Sequence, residues 1–325
     1  MRQAASDRAG GRARRDRRVS AWAACVAALS VFFPADPALA DGALDRIGAW
    51  LCGSAAASSN PVRPAQDQRR FSTARLAPDA PWVAKLEIIE ERFADGAISV
   101  SHCSAAAIAP LWLATAAHCV GDQGWIGVTA TLGDQDAGGP NAFTRSAILA
   151  VCHADYRPGA LAMDIALVRL DQPLPEGFPL LRLAGWREAA RLSAGAVALS
   201  AGWGRVGPNA ISRRLRMSEL RIVDPMRAQD AMIVAAPLRH EQSLCVGESG
   251  APLVADLGRG PALLGVFSSV DAFFDDESRR IVELCDGFEA RSYFTALGGL
   301  RGWVEAVMRL CDGRREACAA GADRR

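Results

Sequence analysis

The chain has 325 residues, half of them hydrophobic, with 37 basic and 36 acidic side chains. That is enough apolar material for one large core or two small ones. Residues 1–40 hold seven arginines and three aspartates, so the remainder carries 30 basic against 33 acidic groups, a net of −3, with Lys85 as its one lysine. Such a surface offers no electrostatic footing for nucleic acid.

The first 40 residues read as a secretory signal. A basic "RARRDRR" is followed by the apolar run "VSAWAACVAALSVFF" and by a small-residue cleavage site, "ALA", at Ala38 to Ala40. The apolar run is shorter than the ~20 residues of a spanning helix, so no membrane anchor is expected once the leader is removed after Ala40. The general secretory and twin-arginine routes both stay open. Cys25 leaves with the leader, which reduces nine cysteines to eight: Cys52, Cys103, Cys119, Cys152, Cys245, Cys285, Cys311 and Cys318. An even set in an exported chain argues for disulfides and a periplasmic or extracellular location. The chain has no Cys-x-x-Cys or His-Glu-x-x-His motif and only four histidines, so no metal site and no cofactor is expected.

Residues 41–70, with "CGSAAASSNPVRPAQDQRR", have the composition of a linker or propeptide. From "PWVAKLEII" onward, short apolar runs such as "DIALVRL", "AVALSAGWG" and "PALLGVFSSV" are separated by Gly, Pro and Asp. That pattern indicates an all-β barrel or sandwich. Only "GGLRGWVEAVMRL" has helical spacing, which lets Leu300, Trp303, Val304, Val307, Met308 and Leu310 share a face. Residues 311–325 read as a C-terminal tail, in which Cys311 and Cys318 either pair locally or lie in a frayed end.

Three segments carry residue types suited to nucleophilic chemistry: His118 in "LATAAHCV", Asp164 in "MDIALVRL" and Ser249 in "GESGAP". A serine hydroxyl is a poor nucleophile at neutral pH and needs an adjacent base, and a histidine base needs a carboxylate to hold its tautomer. The order is His, Asp, Ser. No histidine follows Ser249, the last being His240, which excludes the α/β-hydrolase order of serine, acid, histidine.

With "GWG" at Gly202 to Gly204, these segments resemble the motifs of chymotrypsin/trypsin-like serine proteases, in that family's order, over residues 71–310. The resemblance implies two antiparallel six-stranded β-barrels packed together with a C-terminal α-helix. It implies an endopeptidase acting on protein or peptide substrates through an acyl-enzyme. His118, Asp164 and Ser249 would be catalytic, and the backbone N–H groups of Gly247 and Ser249 would form the oxyanion hole. It also implies disulfides Cys103–Cys119 and Cys245–Cys285. Cys52 and Cys152 then remain; one possibility is that they tether the N-terminal segment to the catalytic domain, and their pairing, like that of Cys311 and Cys318, stays open.

The chain departs from the family pattern at several positions. Glu248 stands where an aspartate is usual; in the family that acid pairs with a new amino terminus made by proteolytic activation. The usual "IVGG" start is missing, but "RRFSTARL" offers cleavage after Arg70, which would expose Phe71 in a zymogen scheme. The specificity pocket is expected from Ser243, Ser268, Val270 and Ser292. Ser243 occupies the place of the aspartate that selects Arg or Lys, and Val270 is bulky, so small or medium apolar side chains are expected instead. Ser269 replaces a tryptophan and Ala251 a glycine. Two other activities fit the same fold: a non-catalytic binding or regulatory protein, and an esterase or amidase using the same site. Natural substrate and oligomeric state are not readable from these residues.

Overall fold

The structure, a computed structural model, describes residues 43–52, 74–76, 80–91, 98–122, 124–207, 210–227, 231–239, 243–275, 280–283, 290–313 and 318. A helical turn over residues 43–45 precedes two short strands, β1 (Ala49–Leu51) and β2 (Arg75–Leu76). Then β3 (Val83–Glu91), β4 (Ile98–Ala109), β5 (Trp112–Thr115), β6 (Trp125–Leu132), β7 (Phe143–His153) and β8 (Ala166–Leu170) make an antiparallel barrel in the order β7-β6-β3-β4-β5-β8. Pairing of β7 with β8 closes it. The short helix α1 (Ala117–Gly121) leaves the end of β5.

The second half repeats the plan. After β9 (Arg182–Leu183) and α2 (Trp186–Ala189) come β10 (Val197–Gly202), a hairpin of β11 (Arg205–Gly207) and β12 (Ala210–Ile211), β13 (Arg216–Arg227) and β14 (Met232–Pro237). They are followed by β15 (Pro252–Asp256), β16 (Pro261–Val270), a second hairpin of β17 (Ala272–Asp275) and β18 (Arg280–Glu283), and β19 (Ser292–Ala296). The barrel order is β10-β15-β16-β19-β14-β13, closed by β10 with β13; β2 extends it at β13, and β9 lies parallel to β16. The helix α3 (Arg301–Gly313) ends the described chain apart from Cys318.

Period-two burial explains the strands. In β3, Leu86 and Ile88 point inward while Lys85 and Glu87 face outward, so a one-residue slip would exchange core and surface. Closing each sheet on itself pairs the strand edges that an open sheet would leave exposed. The first barrel is filled by Leu86, Ile88, Leu113, Val168 and Leu170. The second is filled by Leu220, Ile222, Leu253, Leu264 and Phe294. A third cluster joins the two barrels: Trp112 and Ile165 from the first meet Leu263 and Val266 from the second, with Trp303, Val304 and Val307 of α3. The two-barrel architecture with a C-terminal helix is therefore the observed one.

Both ends of the chain hold more structure than their composition suggests. Within 41–70, β1 pairs with β7 in the register Ala49↔His153 to Leu51↔Val151, and Leu44, Ala49 and Leu51 enter the cluster shared by the barrels. Cys52 is bonded to Cys152, 100 residues away; closing a loop of that size restricts the unfolded chain by about 4–5 kcal/mol in the chain-entropy picture. A three-residue strand held by such distant partners has no local signal. At the other end α3 runs to Gly313, and Cys318 is buried and bonded to Cys311, so the tail is tied down at this point. The leader, Arg70, Phe71 and Cys285 lie outside the described residues.

The junction of α3 with the first barrel contains a nearly buried cation. Arg169 on β8, 6% exposed, donates from Nε to Asp312 Oδ1 at 3.2 Å. The indole N–H of Trp112 donates to the same carboxylate at 3.1–3.2 Å. Removing the acceptor leaves a guanidinium and an indole N–H short of a partner, which is costlier than the pair is stabilising. Asp312→Ala is expected to lower stability by about 1–2 kcal/mol, seen as a lower urea midpoint, with Asp312→Glu recovering part of it; equal midpoints for all three proteins would refute this role.

Candidate active site

His118 is the second residue of α1. The strand before it, Trp112–Thr115, is buried throughout, and the Cys103–Cys119 bridge fastens α1 to β4. Asp164 sits in the connection from β7 to β8 and is 1% exposed. Met163 before it adopts φ 55°, a left-handed conformation unusual for a side chain of this size, and Ile165 N–H donates back to the Met163 carbonyl at 2.8 Å. Such strain persists only where surrounding contacts over-determine it.

Those contacts converge on the Asp164 carboxylate. His118 Nδ1 lies 2.7 Å from Oδ2, the His118 backbone N–H donates to Oδ1 at 2.9 Å, and the Ser268 hydroxyl donates to Oδ2 at 2.6 Å. The Thr295 hydroxyl donates to the Asp164 backbone carbonyl at 3.0 Å. Burial is the largest single influence on the carboxyl and opposes its ionisation. The charge and ring hydrogen bond of His118, the Ser268 hydroxyl and the His118 amide together outweigh it and hold the carboxyl below its ordinary value.

Ser249 lies in the loop between β14 and β15, clamped onto the first barrel. Its carbonyl accepts from Ser104 N–H at 2.7 Å. Cys119 Sγ, oxidised in its bridge and without a proton to donate, lies 3.8 Å from the same oxygen. The next residue, Gly250, has φ +81°, and a Cβ there would stand 2.2 Å from both the Ser104 carbonyl and Thr115 Oγ1, so only glycine permits this approach. Around the turn, Glu248 N–H donates to Cys245 O at 3.1 Å and Gly250 N–H to Phe267 O at 2.7 Å. The alternating amides, those of Gly247 and Ser249, have no acceptor among the described residues.

Ser104, which sequence reasoning did not single out, bridges this loop to the "GWG" segment. Its hydroxyl accepts from Trp203 N–H at 3.0 Å and faces the Gly247 carbonyl at 3.4 Å. The available signal is a polar residue in the otherwise apolar run "CSAAAIA", since a buried hydroxyl must find partners. Thr295 in "SYFTA" carries the same signal.

Glu248 is fully buried, and its Oε2 accepts from Cys245 N–H at 2.6 Å. The side chain lies against Gly204, where an added Cβ would come within 2.6 Å of the Glu248 carboxyl carbon. The glycines of "GWG" thus leave the room that the longer acid occupies.

The expected pocket residues are all buried. Val270 on β16 and Ser292 on β19 are direct register partners. The Ser268 hydroxyl is committed to Asp164. Ser243 lies at the start of the loop that carries Ser249, and Cys245 is disulfide-bonded. Cys103, His118 and Cys119 bring potential metal-ligand atoms within 4.8 Å of one another. The two sulfurs are bonded together, however, and a metal-binding thiolate requires a free cysteine.

Residues 72–279 match the family described as Trypsin. The chain belongs to the trypsin family. It is 30% identical to granzyme M of Homo sapiens over 180 residues, covering 51% of this chain and 69% of that protein. It is 29% identical to trypsin eta of Drosophila melanogaster over 166 residues, covering 47% of this chain and 62% of that protein. Membership places the chain among serine-type endopeptidases, hydrolases of protein or peptide substrates. Trypsin-family proteins are typically secreted, and the Cys52–Cys152, Cys103–Cys119 and Cys311–Cys318 bridges are consistent with that setting. No helix among the described residues is long and apolar enough to cross a membrane.

A carboxyl held below its ordinary value stabilises the folded state above its unfolded pKa, and that contribution is lost as pH falls through the folded value. The stability difference between wild type and Asp164→Asn, measured by urea unfolding from pH 7 to pH 3, should therefore shrink below about pH 4. A difference that stays constant over that range would contradict an ionised Asp164 in the folded protein.

Proposed function

We propose that this trypsin-family chain is an exported endopeptidase with Ser249 as nucleophile, His118 as general base and acid, and Asp164 as the orienting carboxylate. The observation that carries the reading is the 2.7 Å contact of His118 Nδ1 with an Asp164 carboxylate that also accepts from Ser268 and from the His118 amide. With Nδ1 so engaged, Nε2 is the ring nitrogen that takes the Ser249 proton as Oγ bonds to the scissile carbonyl carbon. The carbonyl oxygen becomes an oxyanion received by the amides of Gly247 and Ser249. Collapse breaks the C–N bond, the imidazolium passes its proton to the leaving amine, and an acyl-enzyme remains. Water, activated by the same imidazole, releases the acid and restores Ser249.

Ser243, Val270 and Ser292 favour small or medium apolar side chains over Arg or Lys in the substrate. Ser243 brings no charge to select a cation, and Val270 narrows the wall. Cleavage after Arg70 would supply Phe71 as the amino terminus for Glu248.

The test uses a serine-directed organophosphonate and casein. The wild type should be labelled and should turn over casein, while Ser249→Ala folds normally and loses both, by at least about 10³ in rate. Equal labelling of the two proteins would overturn Ser249 as nucleophile. Labelling without peptide cleavage would assign an esterase or amidase, and neither activity a binding role.

A further inference from the structure

α1 carries His118 but has little stability of its own. It is five residues long, and its N-cap residue, Ala116, makes no side-chain cap bond. A helix of this length does not persist in water without tertiary support, so whatever it packs against sets where the imidazole stands. At its middle that support is the Cys103–Cys119 bridge.

At its far end the support comes from the N-terminal segment. A Cβ placed on Gly121 would lie 3.0 Å from Cys152 Sγ, 3.5 Å from Tyr156 Cε1 and 3.7 Å from Trp50 Cη2. Trp50 is held in place by pairing opposite Cys152 and by donating its indole N–H to the His153 carbonyl at 3.0 Å. The next residue but one, Cys52, is bonded to Cys152. Tyr156 is buried, and its hydroxyl donates to Asp122, which directly follows α1. The same strand that receives β1 runs on into the connection bearing Asp164, with His153 N–H donating to Ile165 O at 3.2 Å and Ala154 N–H to Gly48 O at 2.9 Å.

We infer that Trp50 and the Cys52–Cys152 bridge are positioning elements for His118: the segment upstream of the barrels braces the back of α1 and the strand leading to Asp164. This rests on the reading of His118 as general base. A segment of linker-like composition is then a working part of the catalytic framework, and the disulfide keeps it attached whether or not the chain is cut downstream.

The experiment compares wild type, Trp50→Ala, Trp50→Phe and Gly121→Ala as full-length exported proteins, with active sites titrated by an organophosphonate so that rates are per competent site. Trp50→Ala should lower kcat and the per-site labelling rate together by about 10-fold, because small displacements of a catalytic group are costly, with KM changed less than twofold. Trp50→Phe should fall between, and Gly121→Ala, which pushes α1 away from Cys152 while leaving Trp50 in place, should show the same kcat-selective loss. Per-site constants within twofold of wild type in these variants, with any deficit confined to the titre of active sites, would overturn the inference by making the segment merely structural. Ser249→Ala serves as the control: if it labels as wild type does, the triad reading itself has failed.

Discussion

A buried negative charge is the constraint around which this molecule is organised. Asp164 is almost wholly withdrawn from water, and an ionised carboxylate in that position is tolerable only with hydrogen-bond donors on it. The donors come from different parts of the fold. His118 contributes its ring and amide from the first barrel, and Ser268 its hydroxyl from the second. Thr295, also from the second barrel, holds the backbone carbonyl. Separating the barrels would strand the charge, so the contact that orients the imidazole also favours assembly of the two halves.

The loop that carries Ser249 follows a similar logic with backbone groups. Ser249 belongs to the second barrel by connectivity, yet its carbonyl is held by Ser104 of the first. The glycine beside it allows backbone to approach backbone where no side chain fits. Glu248 turns inward and accepts from Cys245 N–H at 2.6 Å. The amides on either side of Glu248 have no acceptor among the described residues. Replacing aspartate by glutamate requires space, and Gly202 and Gly204 line that space: an added Cβ at Gly202 would meet Glu248 Cγ at 3.1 Å.

The chain ends brace this framework from outside. Trp303 of α3 donates its indole N–H to Gly48 O at 2.9 Å and packs on His153 with ring centroids 5.1 Å apart. Asp312 of the same helix reaches Arg169 and Trp112. Thus the N-terminal segment, the C-terminal helix and the first barrel share one apolar cluster, and the strand leading to Asp164 is its common member.

By itself the sequence determined the family and the class of fold. Histidine, aspartate and serine in that chain order, each in a short distinctive run, suffice to point to the family because its motifs are local. Alternating burial is likewise local, so strands were legible, but the same alternation fits a barrel or a sandwich. Only the distant pairings β7–β8 and β10–β13 make barrels. Tertiary structure also decided what could not be seen in composition. Ser268, expected as pocket wall, spends its hydroxyl on Asp164; Ser104 became a clamp; and a stretch resembling a linker supplied a strand and a disulfide. Each of those roles depends on a partner far along the chain, and only folding specifies which distant residues meet.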